Sequence, residues 1–103
     1  MTPDYGRLLD PALGASIRVE FTTERRAVSN YAVVLLVTEG IVLHTVRVYD
    51  GAHGVNEMHR YSRSAGKQPG EVFNGGSLGD GMRAAIRQIE TSYGAMVDAW
   101  RRS

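Results

Sequence analysis

The last quarter of the chain limits what the rest can be. Met82, Ile86, Ile89, Tyr93, Met96 and Trp100 follow one another at steps of four, three, four, three and four. That is one unbroken apolar stripe at the period of an α-helix. Leu78, Ala85 and Val97 widen it. Ser77 with Asp80 three residues later has the form of a capping box, Asp replacing the usual Glu. A helix is therefore expected over about residues 78–101, with Gly94 costing it roughly 1 kcal/mol against alanine. A helix with one apolar face needs a flat layer to bury it against.

The preceding segments supply that layer, because their period is two. In "SIRVEFTTE", Ile17, Val19 and Phe21 alternate with Arg18, Glu20 and Thr22, the pattern of a half-buried strand. "ERRAVSN" breaks the alternation as a turn. "YAVVLLVTEG" is apolar on both faces and rich in β-branched residues, which suits a central strand. Gly40 allows the positive φ of a tight hairpin into "IVLHTVRVYD", and a fourth strand runs from about Asn56 to Ser62. Short connections favour an antiparallel meander. The expected fold is α+β in two layers, a four-stranded antiparallel meander over about residues 16–62 packed on one C-terminal helix. One helix covers one face, so the other face is left for solvent, a partner or a substrate.

Residues 1–14 are expected as an arm outside the domain spanning 15–103. Thr2-Pro3-Asp4 has the form of a helix start with Pro3 in the first turn, and Pro11 and Gly14 would stop it within one or two turns. Between Arg63 and Gly81 lies a long loop holding six of the twelve glycines, with a short extended piece at residues 71–73.

At 103 residues, 43% hydrophobic and 22% charged, the chain suits one globular domain. It has no cysteine, so neither a disulfide nor a thiolate metal site can form. The first sixteen residues lack the basic start and apolar stretch of a signal peptide. The longest apolar run, "YAVVLLV", is far short of the ~20 residues that cross a bilayer. The reading is a cytoplasmic protein with no membrane partner and no cofactor. A net charge of +1 gives no global attraction to nucleic acid. Arg47, Arg60, Arg63 and Lys67 form a local basic group that is either solvated loop charge or an RNA contact.

The densest chemistry lies in "YDGAHGVNEMHRY", residues 49–61. A hairpin turn near Ala52–His53 would set Tyr49 opposite Glu57, Arg47 opposite His59 and Thr45 opposite Tyr61, all on one face. A one-residue slip would take these groups apart. In the expected register they suit metal-independent cleavage of RNA. Glu57 is the candidate base, His59 the acid, Arg47 or Arg60 the phosphate clamp, and Tyr49 or Tyr61 a stacking platform. The same groups are equally the ordinary polar face of a hairpin. His53, between Gly51 and Gly54, reads as an exposed turn residue, and no recognised metal-ligand spacing joins it to Asp50 and His59. His44, among valines and leucines, reads as structural.

The order of a strand, Tyr49-Asp50, a turn holding His53, then His59-Arg60-Tyr61, a loop and a C-terminal helix resembles the toxin component of TumE-type toxin–antitoxin pairs over about residues 30–100. The matching positions are Tyr49, Asp50, His53, His59 and Tyr61; the family's denser histidine cluster is represented here by His53 and His59 alone. The resemblance implies an intracellular toxin held by a cognate antitoxin. Two functions are thus expected in competition. One is a toxin-like ribonuclease using the uncovered sheet face. The other is a non-catalytic interaction module, either antitoxin-like or phage-derived, or a homodimer through its sheet.

Overall fold

The computed structural model describes residues 4–103. Seven strands form one antiparallel sheet: β1 (Asp4–Asp10), β2 (Ala15–Glu24), β3 (Ala27–Glu39), β4 (Val42–Asp50), β5 (Asn56–Ser62), β6 (Gly66–Lys67) and β7 (Glu71–Asn74). The helix α1 (Leu78–Arg101) closes the chain. Strands β1 to β5 lie in chain order, and both β6 and β7 pair with the outer edge of β5. The two-layer α+β arrangement is as the sequence implied, and the strand periods decide it. Ile17, Val19, Tyr31, Val33, Leu35 and Val37 point inward at every second position and bury against Ala85, Ile89, Met96, Val97 and Trp100 of α1.

The sheet is larger than the expected four strands, and the N-terminal segment supplies the longest of the three added ones. Thr2 and Pro3 lie outside the described residues, but from Asp4 onward the chain is a strand rather than a helical turn. Tyr5 pairs with Val19 and Arg7 with Ile17, so these residues share the helix-side face with Leu9, which packs on the core. Arg7 forms an ion pair with Glu90 of α1, and the Tyr93 hydroxyl donates to Asp10 Oδ2 at 3.3 Å. This edge strand is therefore tied to both layers. Pro11 follows its last residue, and Gly14 turns the chain back with φ +74°.

The β2–β3 hairpin has a two-residue turn, Arg25-Arg26, between the paired Glu24 and Ala27. Both arginines have positive φ, 52° and 69°. That is the dihedral pattern of a type I′ turn, whose twist matches the strands but whose usual residues are Asn and Gly. Arg26→Gly should therefore stabilise the protein by about 0.5–1 kcal/mol, read as a higher urea midpoint at unchanged slope. An unchanged or lower midpoint would contradict this account.

Helix α1 starts at Ser77, whose side chain accepts from the Asp80 amide at 3.1 Å, the cap its sequence announces. Its inward face is centred on Gly81, Ala85, Ile89, Met96, Val97 and Trp100, while Met82, Ile86 and Tyr93 are half-buried flanks. Gly81 lies there because of Asn56. A Cβ on Gly81 would stand 1.9 Å from Asn56 Oδ1. Asn56 is buried at 1% exposure. Its Oδ1 accepts the Tyr31 hydroxyl at 2.8 Å, and its Nδ2 donates to the carbonyls of Gly76 and Ser77 at 3.0 Å each and of Asn74 at 3.3 Å. One amide thus joins β3, β5, the end of β7 and the start of α1. Asn56→Ala should cost about 2–3 kcal/mol, since it strands several polar groups. Gly81→Ala should cost a similar amount by overpacking. Combined, the two should cost clearly less than their sum, because removing the amide removes the clash; additive urea-unfolding energies would refute the contact.

Candidate functional site

The β4–β5 register decides what the opening motif can do. The observed pairs are Asp50 with Glu57, Tyr49 with Met58, Val48 with His59 and Arg47 with Arg60. This is one residue away from the expected register, so the proposed constellation comes apart. Glu57 and His59 fall on the uncovered face with Val48 and Asp50, whereas Arg47, Tyr49 and Arg60 fall on the helix side. The cause lies earlier in β4. Between Leu36–Thr45 and Leu35–Arg47 the pairing shifts, leaving Val46 as a bulge. A bulge inserts one residue and reverses the alternation beyond it. Val46 is buried and, three positions later, so is Tyr49.

Tyr49, expected as an exposed stacking ring, is 0% exposed. It lies edge-on to Phe73 at 4.9 Å between centroids, and its hydroxyl donates to Gln88 Oε1 at 2.9 Å. Arg47 reaches this hydroxyl at 3.5 Å. Arg60 pairs with Glu71 at 3.1 Å. Tyr61 is half-buried and packs on the core instead of standing beside His59. His53 is exposed in the turn, and Lys67 is exposed on β6. His44 is half-buried, its ring 5.0 Å from Trp100.

On the uncovered face, three of the named groups do meet. His59 Nδ1 lies 3.1 Å from the Gln68 carbonyl, which can only accept, so Nδ1 carries the proton. Nε2 then faces Asp50 Oδ2 at 3.8 Å. Glu57 is beside them, and Gly70 covers both: a Cβ there would stand 2.7 Å from His59 Cε1 and 3.0 Å from Glu57 Oε2. The side chains of His59 and Asp50 are only 16% and 17% exposed. The loop after β6 therefore lies over the imidazole. Among the described residues, no group of three His, Asp or Glu side chains is arranged to hold a metal ion.

Following the pairing across the sheet shows a feature that motif reading missed. Asp4 pairs with Glu20, Glu20 with Ala32, Ala32 with Asp50 and Asp50 with Glu57. Four carboxylates thus form a cross-sheet row on the uncovered face, interrupted by one alanine. The neighbouring row runs Arg18, Val34, Val48, His59, and Arg18 is engaged with Asp4 at 2.7 Å. A groove of about 400 Å³ lies over Ala32 and Val48 with Glu20 and Asp50 on its rim. Tyr31 at its end has its phenol pushed up, first by burial and then by the Asp50 charge. Leu8, Leu43 and Val72 add exposed apolar surface to the same face. Only the strand pairing reveals the row, since its members lie on four strands.

Arg63 sits elsewhere, in an ion cluster at the far end of the helix. Its guanidinium forks onto Glu39, Nη2 to Oε1 at 2.6 Å and Nη1 to Oε2 at 2.9 Å, and lies 4.8 Å over the Trp100 ring. Arg101 approaches the same carboxylate at 3.4 Å. The Arg63 hydrogen bond holds the Glu39 carboxyl below its ordinary 4.5. Its stabilisation is therefore present above about pH 4.5 and is lost as pH falls through the lowered value. Between about pH 5 and pH 3, Glu39→Gln should lose less stability than the wild type. Equal losses in urea titrations would show that the cluster contributes nothing.

No known family model, curated protein or solved structure matches the chain, so function rests on this geometry. No helix among the described residues is long and apolar enough to cross a membrane.

Proposed function

We propose that the protein is a non-catalytic interaction module whose uncovered sheet face takes a basic, partly apolar segment of another protein. The observation that carries this reading is the carboxylate row. Glu20 and Asp50 flank the groove over Ala32 and Val48, so a Lys or Arg side chain lying there would meet an acid on either side and apolar floor beneath. Complementary potentials of this kind select partners and speed encounter. Val34, Leu36 and Val48 are half-exposed around it, giving a partner apolar area to bury.

The same charges weigh against the ribonuclease reading. An RNA phosphate approaching Glu57 and His59 would meet the acidic row, while Arg47 and Arg60 lie on the other face. They also weigh against self-association through this face, since stacking two copies brings carboxylates together. An antitoxin-like partner-binding role accommodates the geometry without a reaction.

A synthetic peptide of alternating lysine and leucine is a suitable probe. It should shift the amide resonances of Ala32, Val34 and Val48, bind more weakly as salt is raised, and lose at least about 5-fold in affinity in Glu20→Gln/Asp50→Asn, roughly 1 kcal/mol. Unmoved open-face resonances would refute the reading. So would a dimer sealed through that face, or cleavage of single-stranded RNA that disappears in Glu57→Ala and His59→Ala.

A further inference from the structure

The helix-side face holds an electrostatic imbalance of the opposite sign. Arg47 and Arg60 are direct cross-strand partners, and like charges so placed repel. Arg60 is balanced by Glu71. Arg47 has no carboxylate within ion-pair distance among the described residues, and its only polar contact is the long one to the Tyr49 hydroxyl. Its Nε is sealed from solvent with no hydrogen-bond partner. A half-buried guanidinium without an acid carries a desolvation cost that no carboxylate among the described residues offsets.

Both arginines line one cleft of about 220 Å³ between β4, β5 and the last turns of α1. Tyr61, Met96 and Trp100 give it apolar and aromatic walls, Gln68 adds an amide, and none of the described acidic side chains lines it. Its size is below the ~300 Å³ at which drug-sized pockets begin. It is suited to a ligand of one small ring.

We infer that this cleft binds a small organic oxyanion, a carboxylate or phosphate monoester on a flat apolar body, with Arg47 and Arg60 as the anion's partners and Tyr61 and Trp100 beside its ring. Guanidinium forks match both anions, often through two parallel hydrogen bonds. The incoming charge offsets the Arg47–Arg60 repulsion and supplies the acid that Arg47 lacks. The site lies on the opposite side of the sheet from the acidic groove, so it stands or falls independently of the partner proposed for that face.

Trp100 is the only tryptophan, so its fluorescence reports the cleft directly. At low salt, titrations with benzoate and phenyl phosphate separate the two anion sources, inorganic phosphate tests the headgroup alone, and benzamide is the neutral control. The expected result is a saturable change with benzoate or phenyl phosphate at a Kd of about 1 mM or tighter, the tighter of the two naming the headgroup. Benzamide should bind at least about 10-fold more weakly. Arg47→Met should weaken the anion at least about 10-fold, and Arg47→Lys by less, since charge remains while the fork is lost. Without ligand, Arg47→Met should melt no lower than wild type, because it removes an unpaired charge; with ligand, only the wild type should gain Tm. If Arg47→Met does not fold, Arg60→Met carries the same affinity test. No saturable change with either organic anion, equal binding of benzamide, or undiminished binding in the arginine variants would overturn the proposal.

Discussion

The fold turns on a single buried amide. Asn56 opens β5, and its side chain accepts from Tyr31 on β3 while donating to three carbonyls between the end of β7 and the cap of α1. A buried side-chain amide left unpaired is costly, so these partners must all be supplied together. Supplying them fixes Asn56 inward, and β5 then alternates from that point: Met58 in, Glu57 and His59 out. Gly81 completes the arrangement by bringing the helix backbone onto the amide, where any Cβ would collide. The face on which the imidazole and the carboxylates appear is thus a consequence of where one asparagine finds its hydrogen bonds.

Periodicity made the layers legible. The helical stripe from Met82 to Trp100, its Ser77 cap, the strands around Ile17, Val33 and Val46, and the hairpin at Gly40 could all be read from residue type and spacing, as could the extended piece that became β7. What could not be read depended on pairing. Asp4–Asp10 looked like a frayed arm because Tyr5, Arg7 and Leu9 show their alternation only beside Ile17 and Val19. The bulge at Val46 leaves no mark in composition, yet it moves Arg47 and Tyr49 to the helix side. Asn56 reads correctly as the start of a strand, but the partners that bury its side chain, on β3, β7 and the cap of α1, are not visible from its neighbours in sequence. The candidate site is displaced by the bulge alone: Asp50, Glu57 and His59 do meet, but the arginines and tyrosines assigned beside them do not.

A net charge of +1 conceals a separation. The uncovered face collects Asp4, Glu20, Asp50 and Glu57 in one row, whereas on the helix side Arg60 is paired with Glu71, Arg63 and Arg101 share Glu39, and Arg47 has no acid among the described residues. Near a protein surface, effective screening leaves such groups able to interact over a few ångströms, so local composition matters more than the total. The two proposed ligands follow that difference: a cationic segment on one side, a small anion on the other. The Glu39 cluster lies between the helix end and the β3–β4 hairpin, where Arg63 also caps the Trp100 ring.

The sheet's two borders are treated differently. Beyond β5, the chain folds β6 and β7 back along the margin, occupying it with its own backbone. At the other margin no described strand lies outside β1, so among the described residues the outward amides and carbonyls of Asp4–Asp10 have no neighbouring strand. Asp4, Arg7 and Asp10 place charge along that strand, a common safeguard against indiscriminate β-augmentation. Lateral extension of this sheet, by a companion polypeptide or in misassembly, accordingly finds its longest open margin at β1, against the short strands β6 and β7 on the other side, and electrostatics rather than sterics guards it.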